Sequence, residues 1–328
     1  MSKKVHGIGL LSGGLDSILA VKVLQAQGLE LLGLTFVTPF FGPKPGLEAG
    51  TKAGIRTVAI DISESHLAML KTPRYGYGSQ INPCIDCHGL MLREAGKLME
   101  KEGADFLFTG EVLGQRPMSQ RRDSLRSVEK LAGCPGRVLR PLSAKLLDPT
   151  VVELEGLVDR EQLLDIQGRS RRRQAELAAR FEIRDYPQPG GGCMLTKEGF
   201  ANRLRELLRC RPEACVGDVE IIKWGRAFIL PGGHVCMVGR QQGDNRQLDK
   251  LARDNDVHLR SFDHPGPTCV VVDVLDPLVV IETAAQLVAS YSDGGPGTTI
   301  SVQWSHKGKR DIVVVESRSK EAFKELLI

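Results

Sequence analysis

The sequence predicts a two-part α/β protein in which a parallel, helix-covered sheet is followed by a smaller α+β domain; three observations predict it. Apolar runs of strand length alternate with helical periods through the first half of the chain, the pattern of a parallel sheet covered on both faces. A stretch dense in Pro and Gly, "RDYPQPGGGCMLTKEG", ends that alternation near Tyr186. Beyond about Gly217 the texture changes to short β-rich runs. A chain of 328 residues suits two cores better than one. The expected division is 1–185 for the parallel-sheet domain, 186–216 for a joint and helix carrying Cys193, and 217–328 for the second domain.

Each element follows from its residues. "KVHGIGLLSGGLDSILAVKVLQAQG" is a buried strand, a glycine turn and a helix whose Ile18, Leu19, Val21, Val23 and Leu24 face inward while Lys22 and Gln25 face out. "LELLGLTFV" and "IRTVAIDI" are short strands. "GLMLREAGKLMEKEG" is helical in period and closes at Gly103, and "ADFLFTGEVLG" is an apolar strand running into a loop. After the joint comes a helix, "EGFANRLRELLR", and then the strands "AFILPGG", "HVCMVGR", "TCVVVDV" and "TTISVQW". In such a parallel sheet, ligands bind outside the carboxyl ends of the strands.

Composition narrows the classes. Hydrophobic residues at 41% and charged residues at 26% exclude disordered and fibrous architectures. The N-terminus "MSKKVHGIGLLSGG" reaches glycine before a long apolar stretch forms, and no segment reaches the roughly 18 apolar residues of a spanning helix, so a cytoplasmic protein without membrane contact is expected. In that compartment the eight cysteines read as core residues, ligands or nucleophiles, not disulfides. The net charge is only +4, but the basic residues cluster. Seven Lys or Arg against two acids lie between Arg116 and Arg140, and four Arg lie in "GRSRRRQ". Arg121, Arg122 and Arg171 to Arg173 are therefore candidate contacts to a phosphate backbone, with a solvated helix face as the plain alternative.

"LLSGGLDS" sets Ser12, Gly13 and Gly14 between a strand and a helix, where free backbone N–H groups and the positive helix end make an anion site. No Lys follows the glycines, so this is not a Walker loop. The whole string resembles the SGGxDS signature of the PP-loop ATP pyrophosphatases, whose fold is that of the adenine nucleotide alpha hydrolases. That resemblance implies that Ser12, Gly13, Gly14, Asp16 and Ser17 hold the pyrophosphate of ATP, with Asp16 helping to bind Mg2+. It also implies adenylation of a substrate oxygen at the α-phosphate, release of pyrophosphate, and displacement of AMP by a nucleophile. "FTGEVLGQRPMSQ" resembles the TGE-x-LGQ-x-x-SQ segment of tRNA 4-thiouridine synthases, which puts Thr109, Gly110, Glu111, Gly114 and Gln115 at the nucleotide, followed by Ser119 and Gln120.

Cys84 and Cys87 form a C-x-x-C in "INPCIDCHGLM". A redox pair, half of a zinc site and part of a metal cluster all use this spacing. There is no second C-x-x-C pair for a closed zinc site, although His88 and Cys193 could complete one. Cys193 in "PGGGCML" is the preferred third partner because three glycines let the backbone approach an inorganic group closely. Cys134, Cys210, Cys215, Cys236 and Cys269 lack such a setting and read as buried small side chains. Together, "YGYGSQINPCIDCHG" and "YPQPGGGCMLT" resemble a subgroup of thiouridine synthetase-like proteins. That resemblance implies a 4Fe–4S cluster on Cys84, Cys87 and Cys193, one iron being left open to carry sulfur. A metal-free route in the same family, a persulfide on Cys193 resolved by Cys84 or Cys87, stays open.

"WGRAFILPGGHVCMVGRQQGDNRQLDKLA" followed by "HPGPTCVVVDV" resembles the NFACT-R RNA-binding module, which offers Arg226, His234, Arg240, Asn245, His264 and "WSHKGKR" as donors. The expected activity is an ATP-dependent tRNA sulfur transferase using ATP, Mg2+ and the cysteine triad, with tRNA and a sulfur donor, either sulfide or a persulfide carrier protein, as partners. The competing readings are a PP-loop amide-forming ligase of small molecules and a non-catalytic nucleotide- and RNA-binding protein.

Overall fold

The computed structural model describes residues 6–186 and 193–328. The Pro-Gly run at 187–192, from which a close backbone approach beside Cys193 was expected, lies outside the described residues. The chain divides into two compact units, 1–193 and 194–328, the break falling within the expected joint.

Unit 1 runs β1 (Gly7–Leu10), α1 (Leu15–Gln25), β2 (Leu31–Val37), α2 (Lys44–Ala53), β3 (Thr57–Asp61), α3 (Ser63–Lys71), α4 (Cys84–Glu102), β4 (Phe106–Thr109), α5 (Arg122–Ala132), β5 (Val138–Leu139), α6 (Val151–Leu154) and α7 (Arg172–Arg180). Its sheet is parallel with strand order β3-β2-β1-β4-β5. The chain winds outward from β1 to β3 and then returns to place β4 on the other side of β1. That reversal opens a crevice at the carboxyl ends of β1 and β4, the switch point where such sheets bind ligands.

The strands are short continuous apolar runs because both faces are covered. On one face Leu15, Ile18, Leu19 and Leu24 of α1 join Phe106 and Phe108 of β4 and Ala178 of α7 in one core. On the other, Ile8, Leu32, Leu34 and Leu107 meet Leu90, Leu92 and Ala95 of α4 and Val128 of α5. Each fully buried Leu, Ile or Phe contributes about 1.5–3 kcal/mol to holding these layers together. Helix α4 ends as expected, with Gly103 in the left-handed conformation (φ 64°), but it begins at Cys84, one turn before the apolar period becomes regular.

Unit 2 contains α8 (Glu198–Cys210), α9 (Val216–Ile221), β6 (Arg226–Leu230), β7 (His234–Val238), α10 (Gln242–Leu251), β8 (Val257–Ser261), β9 (Thr268–Val271), α11 (Leu278–Ser290), β10 (Thr299–His306) and β11 (Lys309–Glu316). Its sheet is antiparallel, in the order β11-β10-β8-β9-β7-β6. The apolar helix α11 packs Val280, Ala284, Leu287 and Val288 against Phe228, Val271, Ile300 and Trp304 of that sheet. The expected α+β texture is present, with β8 and β11 as additional strands. Among the described residues no helix is long and apolar enough to cross a membrane.

Candidate functional site

The loop after β1 turns at Gly13, whose φ of 87° suits glycine. A Cβ there would also come within 2.4 Å of the Pro45 side chain. Helix α1 starts from an extended Gly14 with no side chain capping it; the Ser17 N–H bonds the Gly14 carbonyl at 3.2 Å, and the N–H groups of Leu15 and Asp16 are left to a ligand or solvent. Ser17 Oγ donates to the Gly14 carbonyl at 2.7 Å, and the Gly14 N–H reaches Ser12 Oγ at 3.4 Å, which holds the turn open.

The segment after β4 packs directly on this turn. A Cβ at Gly110 would sit 2.5 Å from the Asp16 carbonyl carbon and the Ser17 nitrogen, so only glycine allows the two loops to approach this closely. Gln115 Nε2 donates to Asp16 Oδ2 at 3.1 Å, joining the two quoted motifs across 99 positions of sequence. The Gln120 carbonyl accepts from the Gly114 N–H at 2.7 Å, and Gln120 Oε1 accepts from the Arg116 N–H at 3.0 Å, folding "GQRPMSQ" back on itself.

Glu111, expected at the nucleotide, is engaged by neighbouring side chains. It is buried, and Oε2 accepts from Arg140 Nε at 3.0 Å and Thr109 Oγ1 at 3.1 Å, while Oε1 bonds His88 Nδ1 at 2.7 Å. Burial alone would raise its pKa, but the Arg140 guanidinium and His88 overcome that and hold the carboxyl at about 2. Arg140 in turn also bonds Glu129. The sequence had offered His88 as a zinc ligand; in the structure its ring is tied to Glu111.

Cys84 and Cys87 stand one turn apart at the start of α4, on the same helix face. The buried Asp86 between them accepts the backbone N–H groups of Arg74 at 2.8 Å and Tyr75 at 3.0 Å, which anchors the preceding loop. Burial pushes the Cys87 thiol up, and the neighbouring Cys193, Cys84 and Asp86 push it further. Among the described residues no three His, Cys, Asp or Glu side chains converge closely enough for a single metal ion. Thiolates are the usual ligands of iron–sulfur clusters, so in donor chemistry the three cysteines fit such a group.

His66 escaped the sequence reading because a lone histidine in "SESHLAML" carries no signal. Its Nε2 lies 3.2 Å from Cys87 Sγ, and its ring is packed against Phe40 and Phe41. Burial lowers its pKa to about 4, so the imidazole is neutral at pH 7. Asn82 Nδ2 points at Cys84 Sγ at 3.2 Å in the same way.

The basic runs separate into different roles. Arg122 and Arg126 face Asp148, Arg172 pairs with Glu176 at 2.8 Å, and Arg173 pairs with Asp165 at 2.5 Å, as on a solvated helix face. Arg171 instead points at Asp16, 4.0 Å away.

In unit 2, several expected RNA donors serve the fold. Arg240 bonds Asp244 at 3.0 Å, Asn245 Oδ1 accepts the Thr268 N–H at 3.1 Å, and Arg226 lies over the Tyr291 ring. Asn245 thus ties α10 to the "HPGPT" string, which the Gly239 N–H of "VGR" also meets at the Thr268 carbonyl, 2.9 Å away. The hairpin residues Lys307, Lys309 and Arg310 remain exposed.

Residues 225–326 match the family described as NFACT protein RNA binding domain. The chain is 24% identical over 250 residues to a tRNA-specific 2-thiouridylase MnmA of Pelobacter propionicus, an alignment covering 71% of this chain and 66% of that protein. It is 31% identical over 126 residues to the enzyme of the same name from Syntrophotalea carbinolica, covering 33% of this chain and 35% of the other. The chain thus spans just under two thirds of the first relative and about a third of the second. Among solved structures, the NMN synthetase of Francisella tularensis aligns with a TM-score of 0.28 at 14% identity, covering 57% of this chain and 90% of that one.

Proposed function

We propose that this chain, a relative of the PP-loop tRNA thiouridylases that carries an NFACT-type RNA-binding domain, is an ATP-dependent tRNA sulfur transferase. The observation that carries the reading is a continuous path between two chemistries. His88, next to Cys87, bonds Glu111, and four residues further along the same loop Gln115 bonds Asp16 of the phosphate turn. The loop after β4 thus touches both the helix that carries Cys84 and Cys87 and the turn before α1, which supports a reaction that activates an oxygen and replaces it with sulfur.

In the proposed reaction a uridine carbonyl oxygen attacks the α-phosphorus of ATP and pyrophosphate leaves. Sulfur then adds to the activated carbon, and AMP departs with the oxygen. Ser12, Gly13, Gly14 and Ser17 would cradle the pyrophosphate through the turn and the positive end of α1. Asp16 would bind Mg2+, which neutralises phosphate charge. Thr109 and Gly110 would line the nucleotide side of the crevice, Gly114 and Gln115 would hold the loop against Asp16, and Glu111 would fix His88 and Arg140. A 4Fe–4S cluster on Cys84, Cys87 and Cys193 would supply the transferable sulfur, loaded by sulfide, or by a persulfide carrier protein together with a two-electron reductant such as a thiol that releases its outer sulfur as sulfide. His66 and Asn82 would orient Cys87 and Cys84 for that ligation. The exposed Lys307, Lys309 and Arg310 would meet tRNA phosphates. Reduced thiols of this kind suit the cytoplasm.

The test is reconstitution. Anaerobically purified protein, unmodified tRNA, ATP and sulfide should give a thionucleoside together with AMP and pyrophosphate. ADP and orthophosphate as products, or amide formation on a small molecule in place of thiolation, would refute the reading.

A further inference from the structure

The run "GRSRRRQ" holds one arginine and one glutamine that surface solvation does not explain. Arg172 and Arg173 have carboxylate partners on the surface, whereas Arg171 is half-buried and its Nε finds no hydrogen-bond partner among the described residues. Gln174 is 0% exposed, and neither its Oε1 nor its Nε2 finds a partner there. Asp16 Oδ1 is in the same condition, although Oδ2 of that carboxylate takes Gln115 at 3.1 Å and faces Arg171 at 4.0 Å. Buried polar atoms are nearly always paired, and each orphan costs about 1–3 kcal/mol, so three such side chains in one region call for a common partner.

Their placement identifies where that partner sits. Gly168 donates its N–H to the Leu113 carbonyl at 2.8 Å, which pins the run to the loop after β4. Arg171 then caps α7, and Gln174 follows one turn later on the same face. Ala178, one further turn along, packs into the core made by α1, so this face of α7 is the one turned toward α1 and its first-turn Asp16. On that face the fully buried Gln174 lies between Ala178, in the α1 core, and Arg171, which faces Asp16 of the phosphate turn.

We propose that Arg171 and Gln174 are part of the nucleotide site, Arg171 as a ligand of the ATP phosphates, and that they do not contact tRNA. The proposal rests on the ATP-dependent reading above. Without nucleotide, Arg171 and Asp16 balance each other's charge. When Mg-ATP enters, the metal ion takes the Asp16 carboxylate, and the freed guanidinium turns its planar fork of donors to phosphate oxygens, a geometry that lysine lacks. Gln174 supplies one donor and one acceptor to the same group or to its metal-bound water. The arginine run is thereby divided, one residue serving catalysis and its two neighbours solvation.

The experiment is calorimetric titration of the full chain with inorganic pyrophosphate and with a non-hydrolysable α,β-methylene analogue of ATP, both with Mg2+ and without tRNA. Arg171→Ala should weaken both ligands roughly ten- to hundredfold, the loss of one hydrogen-bonded charge contact. Arg171→Lys should recover only part of this. Gln174→Leu, close in shape, should also weaken both. Arg172→Ala and Arg173→Ala should stay within twofold of wild type, and tRNA affinity and its salt slope should be unchanged in Arg171→Ala. Circular dichroism establishes that each variant is folded, and Arg171→Lys keeps the test valid if the alanine variant is not. Wild-type binding with unaltered pyrophosphate affinity in Arg171→Lys and Gln174→Leu would overturn this inference alone. A wild-type protein that binds neither ligand would overturn the ATP-dependent reading and the inference with it.

Discussion

Replacing Glu111 by Gln tests whether this carboxylate organises the site or binds nucleotide. The substitution keeps shape but removes the charge facing the buried Arg140, and it turns one of the two oxygens that meet Arg140 and His88 into an NH2 donor. The carboxyl is held at about 2 in the folded protein against an ordinary 4.5. A difference of that size corresponds to about 3 kcal/mol of stability. The range for breaking a buried ion pair from one side, about 3–5 kcal/mol, is similar. Because the folded pKa is depressed, this stability is fully present above pH 4.5 and is lost as pH falls from there through about 2. Both tryptophans, Trp224 and Trp304, lie in unit 2, so their fluorescence follows that unit while far-UV circular dichroism follows both. In urea, with a slope of roughly 2 kcal/mol per molar, the variant's unit 1 transition should move down by about 1.5 M at pH 7. The tryptophan transition should stay in place, and the acid-side loss of stability below pH 4.5 should shrink. An unshifted unit 1 transition combined with weakened ATP binding would refute the structural role and make Glu111 a nucleotide ligand.

Asp16→Ala, or a bulky residue at Gly13, should abolish pyrophosphate release while circular dichroism stays native. Residual release near the wild-type rate would remove Asp16 from the phosphate site. Anaerobically purified protein should be brown, with about four irons and four sulfides per chain. Cys84→Ala, Cys87→Ala and Cys193→Ala should each remove the iron, whereas Cys134→Ala and Cys215→Ala should keep it. Iron retained in the first three variants would remove these cysteines as its ligands, and colourless protein that still transfers sulfur would favour a persulfide on Cys193.

The parts of this molecule that could be read from sequence are those whose signal is local. A continuous apolar run, Gly13 with Gly14 and the α1 period together specify one strand, turn and helix, and all three formed where expected. Helix α4 was legible from Gly89 onward but not in its first turn, because Pro83 and the polar Asp86 and His88 mask the period there. Strand β11 was not legible, since an edge strand with most residues exposed has no alternation to detect. The site's polar connections were hidden for another reason. Glu111 with Arg140, Gln115 with Asp16, and Cys87 with His66 are joined only after the sheet closes, and nothing in their local sequence anticipates the partner. Gln174 is the extreme case, because an amide beside four arginines reads as surface and is fully buried.

The most direct test of tRNA sulfur transfer is mass spectrometry of tRNA nucleosides from a strain lacking this protein, compared with the same strain carrying wild-type or Cys87→Ala protein. One thionucleoside should be absent in the deletion, replaced by its uridine precursor, restored by wild type and not by Cys87→Ala. An unchanged set of thionucleosides in the deletion strain would contradict the proposed function.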